Sequence, residues 1–341
     1  MSESPVSETG RQEISIDFFR NEDAPGITRL FRQVYGEGYP IATYYHSEQI
    51  ITENASGRLI SCVARTAAGE VVGHNALVLL DPASHLYENA AGAVLSTFRG
   101  QAIFPRLFEH TIVQTGKRFT IEGIIGEPVT NHTHLQKMCL QLNFKESGLE
   151  VGLMRAAAYG VGGGEARRVS VLLGYFKHRA KAQTVFLPPV YQDELDFLYA
   201  GLCLQRTFAP PENKFPSAGN SQGSMTLFEL AEVARIRMTA IGADFQPYTS
   251  RLEHQAREKG IVVWQIWLPL ASPYAAAAAD TLRRQGYFLG GVLPCFANGD
   301  SLLMQKVCQE PDWQAIQLFS ERAKKIAEMV RGDWQGVQAK I

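Results

Sequence analysis

Gly92-Ala93-Val94-Leu95-Ser96-Thr97-Phe98-Arg99-Gly100-Gln101-Ala102-Ile103-Phe104-Pro105-Arg106-Leu107-Phe108 passes from an apolar strand pattern to an amphipathic helical one across Arg99-Gly100. A change of period from two to 3.6 marks a strand-to-helix turn, and a helix start leaves backbone N–H groups without intrahelical partners. Those donors, the positive end of the helix dipole and the Arg99 charge converge on residues 99–103, a place suited to a phosphate. An ordinary turn whose glycine relieves strain would read the same way.

Residues 94–103, Val94-Leu95-Ser96-Thr97-Phe98-Arg99-Gly100-Gln101-Ala102-Ile103, resemble the acyl-CoA-binding segment of the GNAT-type N-acetyltransferases. In that family a strand bonds the pantetheine arm through its backbone, and a Q/R-x-x-G-x-G/A loop wraps the pyrophosphate. The resemblance implies cofactor contacts at Val94, Leu95, Arg99, Gly100, Gln101, Ala102 and Ile103. Two motif positions differ. Ala102 stands where the fourth position is Gly, an added methyl that an αR backbone would tolerate. Phe104 takes the sixth position and must turn its ring into the protein.

A second segment extends the resemblance. Residues 120–154 read as strand, Pro-bearing exit, helix and Phe-led strand, with Asn143-Phe144 where the family has Gly-Phe. On that alignment His132 falls where an Asn bonds the pantetheine, and Cys139 where a Tyr serves as general acid. The titratable groups nearest the implied thioester are Glu122, Glu127, His132 and His134. An amine must shed a proton before it attacks a thioester, and a carboxylate or imidazole can take it. Glu127, at the strand exit before Pro128, is the first candidate base. His132 and His134 lie two apart on an expected helix over 131–142, hence on different faces, and make a poor metal pair. No metal is expected. Cys139 would be the nucleophile of a covalent route, but no helix start or His partner is visible to activate it, so direct attack is expected.

Ahead of the turn, residues 14–19 read as a strand and the following residues to Gly36 as an amphipathic helix. The aromatic and glycine-rich residues 35–46 suit either a loop around a small substrate or a packed connection. Residues 58–66 and 71–80 read as a hairpin carrying His74, whose readings are a satisfied strand residue or a base.

At 341 residues the chain exceeds the usual single core, so two domains are expected. Lys and Arg total 33 against 34 Asp and Glu, which argues for neither a nucleic-acid nor a membrane partner. Five widely spaced cysteines without a C-x-x-C pair argue against a disulfide framework or structural zinc. The first residues lack a signal-like pattern, so a cytoplasmic location is expected. The segment Gly160-Val161-Gly162-Gly163-Gly164 reads as a linker. The expected organisation is a tail over 1–12, a GNAT-like acyl-CoA-binding domain over 13–159, a linker over 160–166, a degenerate GNAT-like domain over 167–310 and a C-terminal helical region over 311–341.

Beyond the linker the pattern repeats. Strand, Pro, helix and aromatic-led strand describe both 121–154 and 262–305, which suggests duplication. No Arg-Gly loop precedes the second copy; Leu204-Gln205-Arg206-Thr207 has the basic residue without the glycine. The fold class expected is therefore α/β with a mixed sheet, two GNAT-like domains in tandem. The activity expected is acyl-CoA-dependent transfer, of acetyl in the first instance, to a small-molecule amine acceptor, with acetyl-CoA or another acyl-CoA as cofactor and a homodimer left open. The altered motif positions support a second reading, a catalytically silent module that binds acyl-CoA or a metabolite as a sensor or scaffold.

Overall fold

A computed structural model describes residues 13–156, 168–179, 181–297 and 299–340. The expected tail over 1–12 and the linker glycines lie outside the described residues. The chain forms two compact units: one holds the residues up to Leu79 with Glu88–Thr120, the other Leu80–Tyr87 with Ile121 onward.

In the first unit the strands run in the order β1 (Ile14–Phe18), β2 (Leu59–Thr66), β3 (Val71–Asp81), β4 (Leu86–Val94), with the β3–β4 tip belonging to the second unit. Helices α1 (Ala24–Tyr35) and α2 (Ser47–Ala55) follow β1, and α3 (Ile103–Arg118) follows β4. The periodic apolar residues of α1, Ile27, Leu30 and Phe31, are fully buried with Val63 and Leu107. Opposite faces of β3 receive different helices: His74 meets Phe31 of α1, whereas a side chain at Gly73 would strike Leu107 and Ile103 of α3. A buried ion pair between Arg65 and Asp23 ties β2 to the start of α1.

The second unit contains two copies of one pattern. β5 (Gly123–Gly126), α4 (His134–Gln141), β6 (Lys145–Arg155) and β7 (Arg168–Lys177) form one, with β7 antiparallel to both β5 and β6 and lying between them. β12 (Val263–Pro269), α7 (Ala275–Arg284), β13 (Phe288–Leu293) and β14 (Ser301–Val307) form the other, with β14 between β12 and β13. The copies join where Gly148 of β6 pairs Gly291 of β13. Both glycines are required there, since a Cβ on Gly291 would fall 2.3 Å from the Gly148 Cα. The duplication expected from the sequence is thus present in the topology, as is the mixed α/β class.

Three boundaries differ from expectation. The division at Gly160 is not a division between the units, because β7 completes the sheet begun by β5 and β6. β10 (Gln222–Phe228) and β11 (Val233–Ala240) form a hairpin turned by a 3-10 segment and by Glu232 in the left-handed region. The helix expected over 131–142 starts only at His134. The C-terminal helix α8 (Glu321–Gln338) starts after Ser320, whose hydroxyl caps it by accepting from the Ala323 amide.

β8 (Gln183–Phe186) and β9 (Arg206–Ala209) make a separate parallel pair around α5 (Gln192–Leu202), and α6 (Phe245–Arg257) links β11 to the parallel β12. Arg206 therefore starts a strand of this separate pair and leads into no helix. It grips buried Asp300 with two hydrogen bonds of 2.6 and 2.9 Å. The counterpart of the β4–α3 turn is the β11–α6 turn, residues 241–244.

Candidate functional site

β4 leaves the sheet through a 3-10 turn at Ser96–Phe98, and α3 begins at Ile103. Leu95 is still held by a strand-like bond from its amide to the Val72 carbonyl, 3.0 Å. Gly100 then takes φ +78° and Ala102 φ +55°. The two left-handed residues swing the chain so that the first turn of α3 presents its amides, and Arg106 N to Ala102 O at 3.3 Å is the first helical bond. Among the described residues no partner occupies the amides from Gln101 to Phe104. Burial raises the pKa of the Tyr35 phenol, and the charge of exposed Arg99 nearby opposes that rise.

Ala102 corrects the sequence reading. It sits in αL, the conformation that explains why the motif uses Gly at this position, so its methyl carries a conformational cost. Phe104 behaves as expected: its ring turns inward, so close over Gly92 that a Cβ there would meet Phe104 Cε2 at 2.5 Å.

His74 is a satisfied strand residue. Its ring is fully buried; Nδ1–H donates to the Ala91 carbonyl at 2.8 Å, which fixes the tautomer, and Nε2 accepts from Ser61 Oγ at 3.1 Å. Burial pushes its pKa down to about 4. Ala91 is left-handed, φ +57°, and Tyr35 Oη donates to the next carbonyl, Gly92 O, at 3.0 Å. Two side chains thus pin a kink in β4. Residues 35–46 pack against Phe31 of α1: Tyr44 stacks on it with centroids 4.3 Å apart, and Tyr39 meets it at 4.9 Å. The Tyr44 hydroxyl is buried without a partner, while Tyr35 remains 40% exposed.

In the second unit Gly126 faces α4, where Phe144 and Cys139 lie against it. Glu127, the next residue, accordingly projects to the opposite face. There it meets Arg235 of β11, whose Nη2 reaches Glu127 Oε1 at 3.2 Å and Glu150 Oε1 of β6 at 3.1 Å. Gln265 of β12 donates to the same Glu150 oxygen at 2.8 Å and accepts from Arg235 Nε at 2.7 Å. Glu150 escapes the sequence reading, although one carboxylate in the apolar strand Gly148-Leu149-Glu150-Val151 is a signal.

The other candidates are dispersed. Glu122 is ion-paired with Lys181. His132 and His134 are exposed, His132 just before α4. Asn131, beside His132, has a buried Oδ1 without a partner. Cys139 is buried, and desolvation followed by the Glu146 charge pushes its thiol up to about 12, so it stays protonated. Among the described residues no cluster of His, Cys, Asp and Glu could hold a metal, and no helix is long and apolar enough to cross a membrane.

The β11–α6 turn is closed by the chain itself. Ala243 N donates to Gly219 O at 2.9 Å, Gly242 N to Ser221 Oγ at 3.0 Å, and Asp244 Oδ1 accepts from Ser221 N at 2.6 Å. A Cβ on Gly242 would lie 2.4 Å from the backbone of Asn220 and Ser221. Two amides of the turn, Gly242 and Ala243, are thus taken up, and Gly242 has no space for a side chain.

No family model and no curated protein matches the sequence. Among solved structures, an N-acetyltransferase from Staphylococcus aureus Mu50 aligns at 15% identity and TM-score 0.39, covering 49% of this chain and 99% of its own. A putative acetyltransferase from Salmonella typhimurium, solved with acetyl-CoA, aligns at 12% and 0.40, covering 50% and 96%. The ribosomal-protein-S5-alanine acetyltransferase of Vibrio fischeri aligns at 13% and 0.39, covering 51% and 97%. The alignments span about half of this chain, and the order expected over 120–154, strand, Pro-bearing exit, helix and Phe-led strand, is present as β5, α4 and β6.

Proposed function

We propose that the chain is an acyl-CoA-dependent N-acyltransferase that acts on a small amine and holds one acyl-CoA per chain. The observation that carries this reading is the contrast between the two strand-to-helix turns. Among the described residues the β4–α3 turn offers unpartnered amides beside an exposed Arg99, whereas in its counterpart the Gly242 and Ala243 amides are bonded to Ser221 and Gly219 and the space at Gly242 is filled by the backbone of Asn220 and Ser221. Arg99, Gly100 and the amides from Gln101 to Ile103 would hold the pyrophosphate, and Val94 and Leu95 would carry the pantetheine arm. Bound acyl-CoA supplies a thioester whose acyl carbon bonds the amine nitrogen as the C–S bond breaks.

For its own part the chain must remove protons. The acceptor ammonium gives one to Glu127, which is 17% exposed at the edge of the polar cluster. The departing thiol cannot draw its proton efficiently from Cys139, whose buried sulfur lacks a polar partner able to recharge it. That burial favours the second reading, a binding module without turnover. Calorimetry of acetyl-CoA against the full chain tests the binding half: one site per chain is expected, and no binding, or two equal sites, overturns it. A fragment ending near Gly160 is unsuitable, since it lacks β7. Thiol release over a panel of amines separates enzyme from silent binder, and loss of about 10²–10⁴-fold in turnover for Glu127→Gln, with acyl-CoA affinity kept, identifies the base.

A further inference from the structure

Glu150 is the most deeply buried carboxylate of the polar cluster, and its environment is unusual in three respects. The side chain is fully excluded from solvent, Oε2 has no hydrogen-bond partner among the described residues, and Oε1 shares one guanidinium nitrogen with Glu127. A carboxylate kept only for structure would satisfy both oxygens. The charged groups facing it are Glu127 from the end of β5 and Arg235 from β11; Gln265 of β12 is neutral, and Gln305 of β14 is spent on the backbone of Leu149, Val151 and Leu289.

We infer, on the basis of the acyltransferase reading above, that Glu150 is a positioning residue which sets the basicity of Glu127 through their shared hold on Arg235. When Glu150 is ionised, Arg235 divides its charge between two carboxylates, and its hold on Glu127 is the looser. When Glu150 is protonated, Arg235 turns its whole charge to Glu127 and holds that carboxylate away from its work as a base. Protonation of Glu150 needs only a proton from water, and its unpartnered Oε2 is the atom that receives it. Burial, then the Glu127 charge, brings the Glu150 pKa up to about 7, within the working range of such a control. Glu127 and Glu150 come from the first copy, Gln265 from the second, and Arg235 from β11 ahead of the second.

The test is the pH profile of kcat in the full-length protein with acetyl-CoA and a generic primary amine, for wild type, Glu150→Gln and Glu150→Asp. Glu150→Gln is expected to move the acid limb down by at least one pH value and to lower the plateau about tenfold, with KM for acetyl-CoA unchanged; Glu150→Asp should restore part of both. An acid limb that stays in place in folded Glu150→Gln overturns the inference, as does a change confined to KM. If Glu150→Gln does not fold, infrared titration of wild type replaces it: a protonated-carboxyl band that titrates near neutrality and shifts in Glu127→Gln supports the coupling, and its absence overturns it. Failure of wild type to bind acetyl-CoA or release thiol overturns the acyltransferase reading instead, and the infrared titration still decides whether the two carboxylates are coupled.

Discussion

Replacing Ala102 by glycine should stabilise the protein. Ala102 is exposed at φ +55°, so its methyl makes no compensating core contact. An L-residue in this region costs roughly 1–2 kcal/mol, and glycine escapes that cost but loses about 0.4–1 kcal/mol more chain entropy on folding. The difference is a gain of about 0.5–1 kcal/mol, or a rise of about 2–4 °C in the melting of the first unit. Gly100 provides the mirror experiment. It has φ +78° and open space where a Cβ would stand, with nothing within 4 Å, so Gly100→Ala meets no clash and isolates the backbone term. That variant should lose about what Ala102→Gly gains. Thermal and urea unfolding of both variants, read by near-ultraviolet circular dichroism, measure the pair. A neutral or destabilising Ala102→Gly beside a neutral Gly100→Ala would refute the left-handed geometry of the turn.

Arg99→Ala should weaken acetyl-CoA binding by about 1.5–3 kcal/mol in calorimetry while leaving the melting temperature in place, because the side chain is exposed. Gly92→Ala should destabilise by roughly 1–3 kcal/mol, since the new methyl collides with the Phe104 ring; pairing it with Phe104→Leu should recover much of the loss in urea unfolding.

The turn at 92–108 is legible because a change of hydrophobic period is a local signal, and the duplication because strand, proline, helix and aromatic recur in order. What the sequence conceals is non-local. β7 lies beyond a glycine-rich stretch that looks like a domain boundary, yet its hydrogen bonds go back to β5 and β6. A basic residue at Arg206 draws the search for a second cofactor-like turn to the wrong place. Its true position follows only from β11 and β12 being parallel neighbours. Ala102 misleads for a related reason: a backbone dihedral is set by the whole turn, and alanine gives no warning of αL. Glu127 is visible as a carboxylate at a strand end, but its partners Glu150 and Arg235 lie 23 and 108 residues further on.

The two units should respond to pH with opposite signs, for reasons already present in their buried groups. His74 in the first unit has its pKa lowered from 6.5 to about 4, so between these values the unfolded chain binds a proton that the folded one refuses. Its contribution is present above pH 6.5 and is lost as pH falls toward 4, by up to about 3 kcal/mol. Glu150 in the second unit has its pKa raised from 4.5 to about 7, so over that interval the folded chain holds a proton that the unfolded one has released. Its contribution is present below pH 4.5 and is lost as pH rises through 7, by a similar amount. Urea unfolding at pH 4.5, 5.5, 6.5 and 7.5 should therefore show little net slope from these two groups in wild type, a fall with rising pH in His74→Gln, and a rise in Glu150→Gln. Parallel slopes in all three proteins would mean that neither group is buried in the form described, and would remove the physical basis for placing a proton on Glu150 near neutrality.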